Sequence, residues 1–456
     1  MSTRQAPQSI WDSRSVAVIG ASDRPSSTGG RVVRALLRHG FTGTVHPVHP
    51  TADTVAGQPA TATVADVGST VDLAMVLVPS ESVRGAVVDC LDAGVSHVIV
   101  GASGFAETGE RGASIEAAMA ADARAAGARL WGPNTIGVAD FATGLAATFS
   151  PALDATGLFA DPGGLAVVSH SGGLGYGIAG LAAEAGLPVR WVATTGNEAD
   201  VTAGEVIADL AERDDCRNVI AFLESPPDRA SLDRIAASST PVTVLRAARS
   251  RNGIAHSVTA TRFAWADLTS EHRDAVQDTL TITDDLPGLL AGAALGEAAP
   301  PRVAVITTSG GSGILAADAI DVAPARLAPL TDLTRAELRS ELPDYATVDN
   351  PLDVTATVMT DPTLFTESLA ILAKDPTVDA ILVCLCVLAE PQASVAAAAI
   401  GAVAKAGKAI AVSRSGATAH APGFAALLAD VGVTVHMEPS AAVHALVTGH
   451  RERKSS

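Results

Sequence analysis

Apolar residues in the first third of the chain fall into short runs: Val16–Gly20, Thr44–Val48, Leu73–Val78, His97–Val100 and Arg129–Trp131. Between them lie stretches with helical periodicity, such as Arg31–His39 and Ser82–Ala93. Strands alternating with helices predict βαβ units and a parallel sheet with helices on both faces. The pattern restarts at Leu165–Ser169, Val189–Thr194, Asn218–Leu223 and Pro241–Leu245. The Ala- and Gly-rich segment Leu289–Arg302 reads as a linker with helical content. A third unit opens at Val303 and repeats the order strand, Ser, Gly-Gly, helix, with Ser309-Gly310-Gly311 matching Ser171-Gly172-Gly173. The repetition predicts two related folds.

Length agrees with this division: 456 residues make about three domains of ~150 residues. No apolar run reaches the ~18 residues of a membrane span. Residues 1–10 lack the apolar core of a signal peptide. A cytoplasmic protein with no membrane association is expected. The net charge of −18 argues against nucleic acid, which needs clustered Lys and Arg. Lysine is confined to Lys374, Lys405, Lys408 and Lys454. Phosphate contacts in the first two-thirds of the chain therefore fall to arginine or backbone. The four cysteines contain no C-x-x-C pair, so no metal site is expected. Cys384 and Cys386 share one side of an apolar strand and read as structural thiols.

Three places end an apolar strand in small residues that leave backbone N–H groups open to an anion. They are the turn at Gly20-Ala-Ser22-Asp-Arg24, the segment Gly132-Pro-Asn134-Thr-Ile-Gly137, and Ser169-His170-Ser171-Gly172-Gly173. A glycine turn entering a helix makes an anion site, and Arg24 adds a charged donor. The dinucleotide fingerprint G-x-G-x-x-G is missing from the first turn, which disfavours a nicotinamide dehydrogenase. Ligands of such sheets bind beyond the carboxyl ends of the strands. There the loops Gly20–Pro25, Pro47–Pro50, Val78–Ser80, Ser103–Glu107 and Gly132–Gly137 gather. His170 sits within the third of these three places and has three readings: phosphate ligand, acid or base, or hydrogen-bonding partner. Glu224, ending an apolar strand, reads either as a site carboxylate or as the cap of the next helix.

The order of these motifs resembles the alpha subunit of ADP-forming acyl-CoA synthetases, a branch of the succinyl-CoA synthetase superfamily. The carriers are residues 17–24, 45–50, 103–107, 132–134, 169–173, Gly196–Asp200 and Asn350–Asp353. The resemblance implies an α/β chain with parallel sheets. An N-terminal Rossmann-like CoA-binding domain (1–145) would precede two flavodoxin-like domains (146–290 and 300–450). It implies CoA phosphates near Gly20, Ser22 and Arg24. Pantetheine would run past Val78, Pro79, Ser80, Ser103, Gly104 and Phe105 toward Asn134. It implies a phosphate cradle at Ser171–Gly173 and a supporting role for Glu224; the repeated strand–Ser–Gly–Gly order adds Ser309–Gly311 as a second phosphate-binding candidate. Asn197 and Glu198 would join the same cleft.

One departure stands out. The family relays phosphate through a histidine at a short, fixed distance after a basic Gly-containing segment, here Arg246–Gly253. Ungapped spacing puts Ala260 at that position, and Thr283-Asp-Asp-Leu286 keeps the register downstream. Alanine has no nucleophilic nitrogen. His256 and His170 are the substitutes to consider. No ATP-grasp segment is recognisable, so ATP or ADP would be used only through a partner ATP-grasp subunit. The expected substrate is a small carboxylate or acyl thioester, and an oligomer is expected. The alternatives are a divergent CoA-dependent acyltransferase and a non-catalytic CoA or acyl-CoA binding subunit.

Overall fold

The computed structural model describes residues 9–154, 157–160, 162–248, 254, 255, 257, 259, 263–293, 300–323, 325–343, 348–354, 361–386, 389–416 and 418–455. The chain divides into two compact units, Met1–Leu289 and Leu290–Ser456.

The first unit holds two large sheets and one two-stranded pair among the described residues. Strands β1 (Ser15–Ile19), β2 (Thr44–Val48), β5 (Leu73–Val76), β6 (His97–Val100) and β7 (Arg129–Trp131) form an all-parallel sheet in the order β2-β1-β5-β6-β7. A small antiparallel pair, β3 (Thr54–Val55) and β4 (Gln58–Pro59), forms its own two-stranded sheet, and the chain after it bridges to β2 at Val48 and Thr61. Strand order reverses at β1, so a crevice opens between the carboxyl ends of β1 and β5. Helices α1 (Thr28–Arg38), α2 (Ser80–Asp92) and α3 (Glu110–Ala125) are the crossovers. The strands are buried throughout β1, β5 and β6, as the apolar runs require of a sheet covered on both faces.

The second sheet runs β14-β13-β12-β10-β11-β8-β9. Its strands β10 (Leu165–Ser169), β11 (Val189–Thr194), β12 (Asn218–Leu223), β13 (Val242–Arg246) and β14 (Thr281–Thr283) are parallel. Helices α4 (Gly172–Glu184), α5 (Ala203–Ala211) and α6 (Arg229–Ala237) join them. The hairpin of β8 (Gly137–Asp140) and β9 (Leu145–Thr148) pairs antiparallel with β11. The expected boundary at residue 145 thus falls inside a hairpin whose two strands both belong to the second sheet. Here too the order reverses, at β10, between β11 and β12.

The two sheets share one core. Val18, Met75, Ile99 and Trp131 of the first pack in a single buried cluster with Val138, Trp191, Ala193 and Val219 of the second. A backbone seam reinforces it. Val201, Ala199 and Asn197 donate their N–H groups to the carbonyls of Leu130, Gly132 and Pro133 at 3.1, 2.9 and 2.9 Å. At the head of the seam, the Arg129 guanidinium pairs with Asp200 at 2.9 Å and Glu205 at 3.0 Å. The Asp200 side chain is only 5% exposed and also accepts the Leu130 amide.

The second unit carries a six-stranded sheet with β15 (Arg302–Thr307) and β18 (Ala380–Cys386) at its centre, followed by β19 (Ala409–Ser415). Its strand-to-helix turn repeats that of β10. Ser169 Oγ donates to the Ser171 carbonyl at 2.7 Å and accepts the Ser171 N–H at 3.1 Å. Thr307 Oγ1 makes the same reciprocal pair with Ser309, at 2.8 and 3.1 Å. In both cases the serine is the N-cap of the following helix, Gly172–Glu184 or Gly310–Asp321. The segment read as a linker, Leu289–Arg302, begins inside the helix Leu286–Ala293. Cys384 is buried and Cys386 partly so; both are free thiols.

Gly196 tests the seam. Its φ is +60°, and a Cβ there would lie 2.3 and 2.6 Å from the Pro133 and Asn134 carbonyl oxygens. Gly196→Ala is expected to destabilise the first unit by about 3 kcal/mol, from left-handed strain plus a clash with backbone. Denaturant unfolding read by the fluorescence of Trp191 and Trp131 checks this; an unshifted midpoint would refute it.

Candidate functional site

The carboxyl edge of the first sheet brings the sequence-predicted loops together. The turn after β1 needs Gly20 at φ +85°, because a Cβ there would meet the Leu77 carbonyl oxygen at 2.5 Å and Val78 Cγ1 at 3.2 Å. The same turn lies against the start of α1, where a Cβ on Gly30 would meet the Ser22 carbonyl oxygen at 2.0 Å. Ser27 caps α1 by accepting the Gly30 amide. Ser22 is buried and Arg24 exposed. Pro79 is the N-cap of α2, and a Cβ on Gly104 would touch Ser80 at 3.3 Å. Ser103 and Gly104 are exposed while Phe105 is buried beneath them. Asn134, exposed and at φ +59°, donates its amide to Ala102 O at 2.9 Å. The edge from Gly20 through Val78–Ser80 and Ser103–Phe105 to Asn134 is therefore contiguous.

A second cluster adjoins Asn134. Its side chain donates to Asn197 Oδ1 at 3.3 Å. Asn197 Nδ2 in turn donates to Glu107 Oε2 at 2.6 Å and to buried Glu116 Oε2 at 2.9 Å. Burial raises the Glu107 carboxyl, but the Gly104 amide and the Asn197 side chain outweigh it, and its pKa falls below the ordinary value. Sequence reasoning missed Glu116, which lies mid-helix on α3 as an isolated carboxylate. Its only sequence signal is an acidic residue at a position whose helical neighbours are apolar.

His170 follows β10 and Glu224 follows β12, at the second sheet's point of reversal. The two strands pair in register, and the His170 amide donates to Phe222 O at 3.1 Å. The imidazole is 3% exposed. Its Nε2 lies 3.1 Å from Glu198 Oε1. Its Nδ1 receives the Glu224 backbone N–H at 3.1 Å and lies 3.2 Å from Thr259 Oγ1. A backbone amide can only donate, so Nδ1 is an acceptor and the ring proton of the neutral form sits on Nε2, facing Glu198. Glu198 adopts φ +57° and also accepts the Ala203 amide at 2.6 Å, at the first residue of α5, whose N-cap is Thr202. Glu224 Oε2 accepts Ser257 Oγ at 2.5 Å and lies 3.3 Å from Thr259 Oγ1. It does not cap the next helix: Asp228 caps α6.

Ser257 and Thr259 were not singled out from sequence as site residues, because nothing local marks two hydroxyls as partners of a distant imidazole. His256 and Ala260 lie outside the described residues. Ser171, Gly172 and Gly173 open α4 directly after His170, and helix geometry leaves the first amides without intrahelical acceptors. Ser309, Gly310 and Gly311 occupy the equivalent turn in the second unit.

Burial opposes a charge on His170, but the carboxylates of Glu198 and Glu224 overcome it, and its pKa stands above the ordinary 6.5. Burial likewise opposes the Glu198 charge, yet His170 holds that pKa below 4.5. A raised histidine stabilises the fold fully below its unfolded pKa and loses that contribution as pH rises through its folded pKa. A lowered glutamate contributes above its unfolded pKa and loses it as pH falls. The stability difference between the wild type and His170→Gln is therefore expected to be largest between pH 4.5 and 6.5 and to shrink on the alkaline side. Paired denaturation curves across pH check this. A difference that stays level as pH rises would contradict it.

Three family models match in series: a CoA binding domain over residues 14–140, a succinyl-CoA ligase-like flavodoxin domain over 162–274 and a ligase-CoA domain over 303–436. The alpha subunit of acetate–CoA ligase (ADP-forming) II from Pyrococcus furiosus is 31% identical, over 83% of this chain and 82% of that protein. Acetate–CoA ligase (ADP-forming) I from Archaeoglobus fulgidus is 29% identical over 81% of this chain but only 53% of its own length. The apo dinucleotide-forming acetyl-coenzyme A synthetase 1 of Ca. Korarchaeum cryptofilum superposes with a TM-score of 0.65 at 26% identity, covering 96% of each chain. A further structure of that synthetase is in complex with phosphate and ADP. With this domain series and this full-length similarity, the chain belongs to the succinyl-CoA ligase superfamily, as a protein like the alpha subunit of ADP-forming acetyl-CoA synthetases.

Proposed function

We propose that this chain binds CoA along the carboxyl edge of its first sheet and handles an acyl group next to His170 without the family's phosphohistidine. The carrying observation is the short path from that edge to the imidazole: the Asn134 side chain donates to Asn197, and the next residue in the chain, Glu198, pairs with His170. In this reading the start of α1, with Gly20, Ser22 and Arg24, receives the phosphates through backbone amides and one guanidinium. Arg24 is exposed and can turn toward an anion. Val78–Ser80 and Ser103–Phe105 flank the pantetheine arm, and Asn134 marks its thiol end. Ser171–Gly173 cradles the anionic oxygens of the acyl group or phosphate, with Glu224 beside it. Ser309–Gly311 is a second cradle of the same build. CoA supplies the thiol that makes or releases a thioester. ATP or ADP enters through a separate ATP-grasp subunit, and the substrate is a small carboxylate or its acyl thioester.

Two experiments test the reading. Calorimetric titration of the full chain is expected to show CoA binding that NADH does not displace. Arg24→Ala is expected to weaken it by about 1.5–3 kcal/mol, the worth of a direct charged hydrogen bond. Unchanged affinity removes Arg24 from the site, and binding of NADH alone overturns the CoA assignment. The second experiment incubates the chain with ATP carrying a labelled γ-phosphate and an ATP-grasp subunit. No acid-labile phosphohistidine is expected, because Ala260 stands at the relay position in ungapped spacing. A label on His256 would mean that the loop has shifted register and the relay persists. CoA binding with no acyl chemistry of any kind would favour the non-catalytic binding subunit.

A further inference from the structure

We infer that the groove formed by Arg31, Arg34 and Arg38 of α1 binds a phosphomonoester dianion, in the first instance the ribose phosphate of CoA that dephospho-CoA lacks. That source rests on the CoA reading above. Free phosphate is the other source of the same chemistry, and the test separates the two.

Residues three and four apart share one face of a helix, so the three arginines stand in a row along α1. Val32, Val33, Ala35 and Leu36 between them are buried in the core, which leaves the arginine face to solvent. Together with Asp154 the arginines line an open groove of about 340 Å³, and every described residue lining it is charged. Such a lining offers nothing to an apolar ligand and suits an anion. One carboxylate serves three guanidiniums there. Arg31 pairs with Asp154 Oδ2 at 2.5 Å and Arg38 with Oδ1 at 2.9 Å. The Arg38 hydrogen bond, opposed by burial and reinforced by Arg31, holds the Asp154 carboxyl below its ordinary pKa, so it stays ionised. Arg34 has no carboxylate partner among the described residues. Three guanidiniums less one carboxylate leave a surplus of two positive charges, in a chain whose net charge is −18.

Two costs remain in the empty groove. Like charges one turn apart on a helix repel. The first turn of α1 also carries no acidic residue, although the helix dipole favours a negative charge there. A dianion seated among the guanidiniums relieves both. A phosphate monoester matches the surplus charge, and its oxygens accept the forked N–H donors of arginine. The groove begins at the turn assigned to the CoA phosphates. A Cβ on Gly30 would touch both the Ser22 carbonyl and, at 3.2 Å, Arg34 Nη1. The Arg34 guanidinium thus reaches back to the turn between β1 and α1, in the direction that helical side chains lean. The turn with Arg24 takes the diphosphate of CoA, and the groove takes its ribose phosphate.

The test titrates the full chain with CoA and with dephospho-CoA, which differ only in that phosphate, and separately with inorganic phosphate. The wild type is expected to bind CoA about 10-fold more tightly than dephospho-CoA, the worth of one charged hydrogen bond. Arg34→Gln is expected to erase most of this preference by weakening CoA alone, and Arg34→Lys to keep part of it. Unchanged affinity for dephospho-CoA in these variants shows that the fold and the rest of the edge are intact. Arg24→Ala, in contrast, weakens both ligands alike, because both carry the diphosphate. Added salt shrinks the preference by screening. A preference for CoA that Arg34→Gln leaves unchanged overturns the proposal. Equal affinity for the two ligands, with phosphate binding that Arg34→Gln abolishes, assigns the groove to free phosphate. Equal affinity, with phosphate binding that Arg34→Gln does not alter, overturns the proposal and leaves the CoA assignment standing. If the wild type binds neither CoA nor dephospho-CoA, the CoA reading falls and the phosphate titration decides the groove: loss in Arg34→Gln supports it, and no loss overturns it.

Discussion

Everything around the candidate site depends on one close approach, that of Gly196 to the carbonyls of Pro133 and Asn134. There the chain leaving β11 turns onto the chain leaving β7 with no room for a side chain. Once that turn is made, the amides of Asn197, Ala199 and Val201 find the carbonyls of Pro133, Gly132 and Leu130 in succession. Each bond satisfies polar backbone between two apolar sheets, where an unpaired group is costly. Arg129 and Asp200 close the far end with a partly buried ion pair. The seam thus sets the distance between Asn134, on the edge suited to CoA, and Glu198, against the imidazole.

Burying carboxylates beside one imidazole needs partners for nearly every oxygen. Glu198 has His170 and the Ala203 amide. Glu224 has the hydroxyls of Ser257 and Thr259. Glu107 and Glu116 share the two protons of the Asn197 amide and take further amides from Gly104 and Ala106. The result is a continuous polar layer between apolar clusters, rigid because most groups hold more than one bond. His170 is the member whose charge state can change near neutral pH, so the layer has one titratable hinge.

The two strand–Ser–Gly–Gly turns show how far a local motif carries function. Ser169–Ser171 and Thr307–Ser309 make the same reciprocal side-chain and backbone bonds, and each second serine is the N-cap of the following helix, although only the Ser171 side chain accepts a helix amide, that of Leu174. Their surroundings differ. The first is followed through β11 and β12 by Glu198 and Glu224. In the second, Asp353 approaches Gly310, and Ser312 meets the Cys386 thiol. The amides alone offer an anion a place; the side chains from neighbouring strands decide the chemistry.

The sequence by itself determined the five strands of the first sheet and strands β10 to β13 of the second, with a helix after most of them. Their apolar runs are continuous and β-rich, and buried parallel strands need no other signal. It likewise determined that loops after β1, β5, β6 and β7 share one edge, because parallel strands all end on the same side. The hairpin β8–β9 escaped, since Leu145–Thr148 is alanine-rich and its partner β11 lies far along the chain. The tertiary structure alone decided that His170 meets Glu198, Glu224 and Thr259. The first three follow three different strands and Thr259 comes from farther along the chain, and no periodicity relates them. It also decided which carboxylate caps a helix and which does not: Asp228 precedes α6 directly, whereas Glu224 turns inward to the hydroxyls of Ser257 and Thr259. A strand's own pattern records that it is buried; which strand comes to lie beside it is set by packing across the whole sheet.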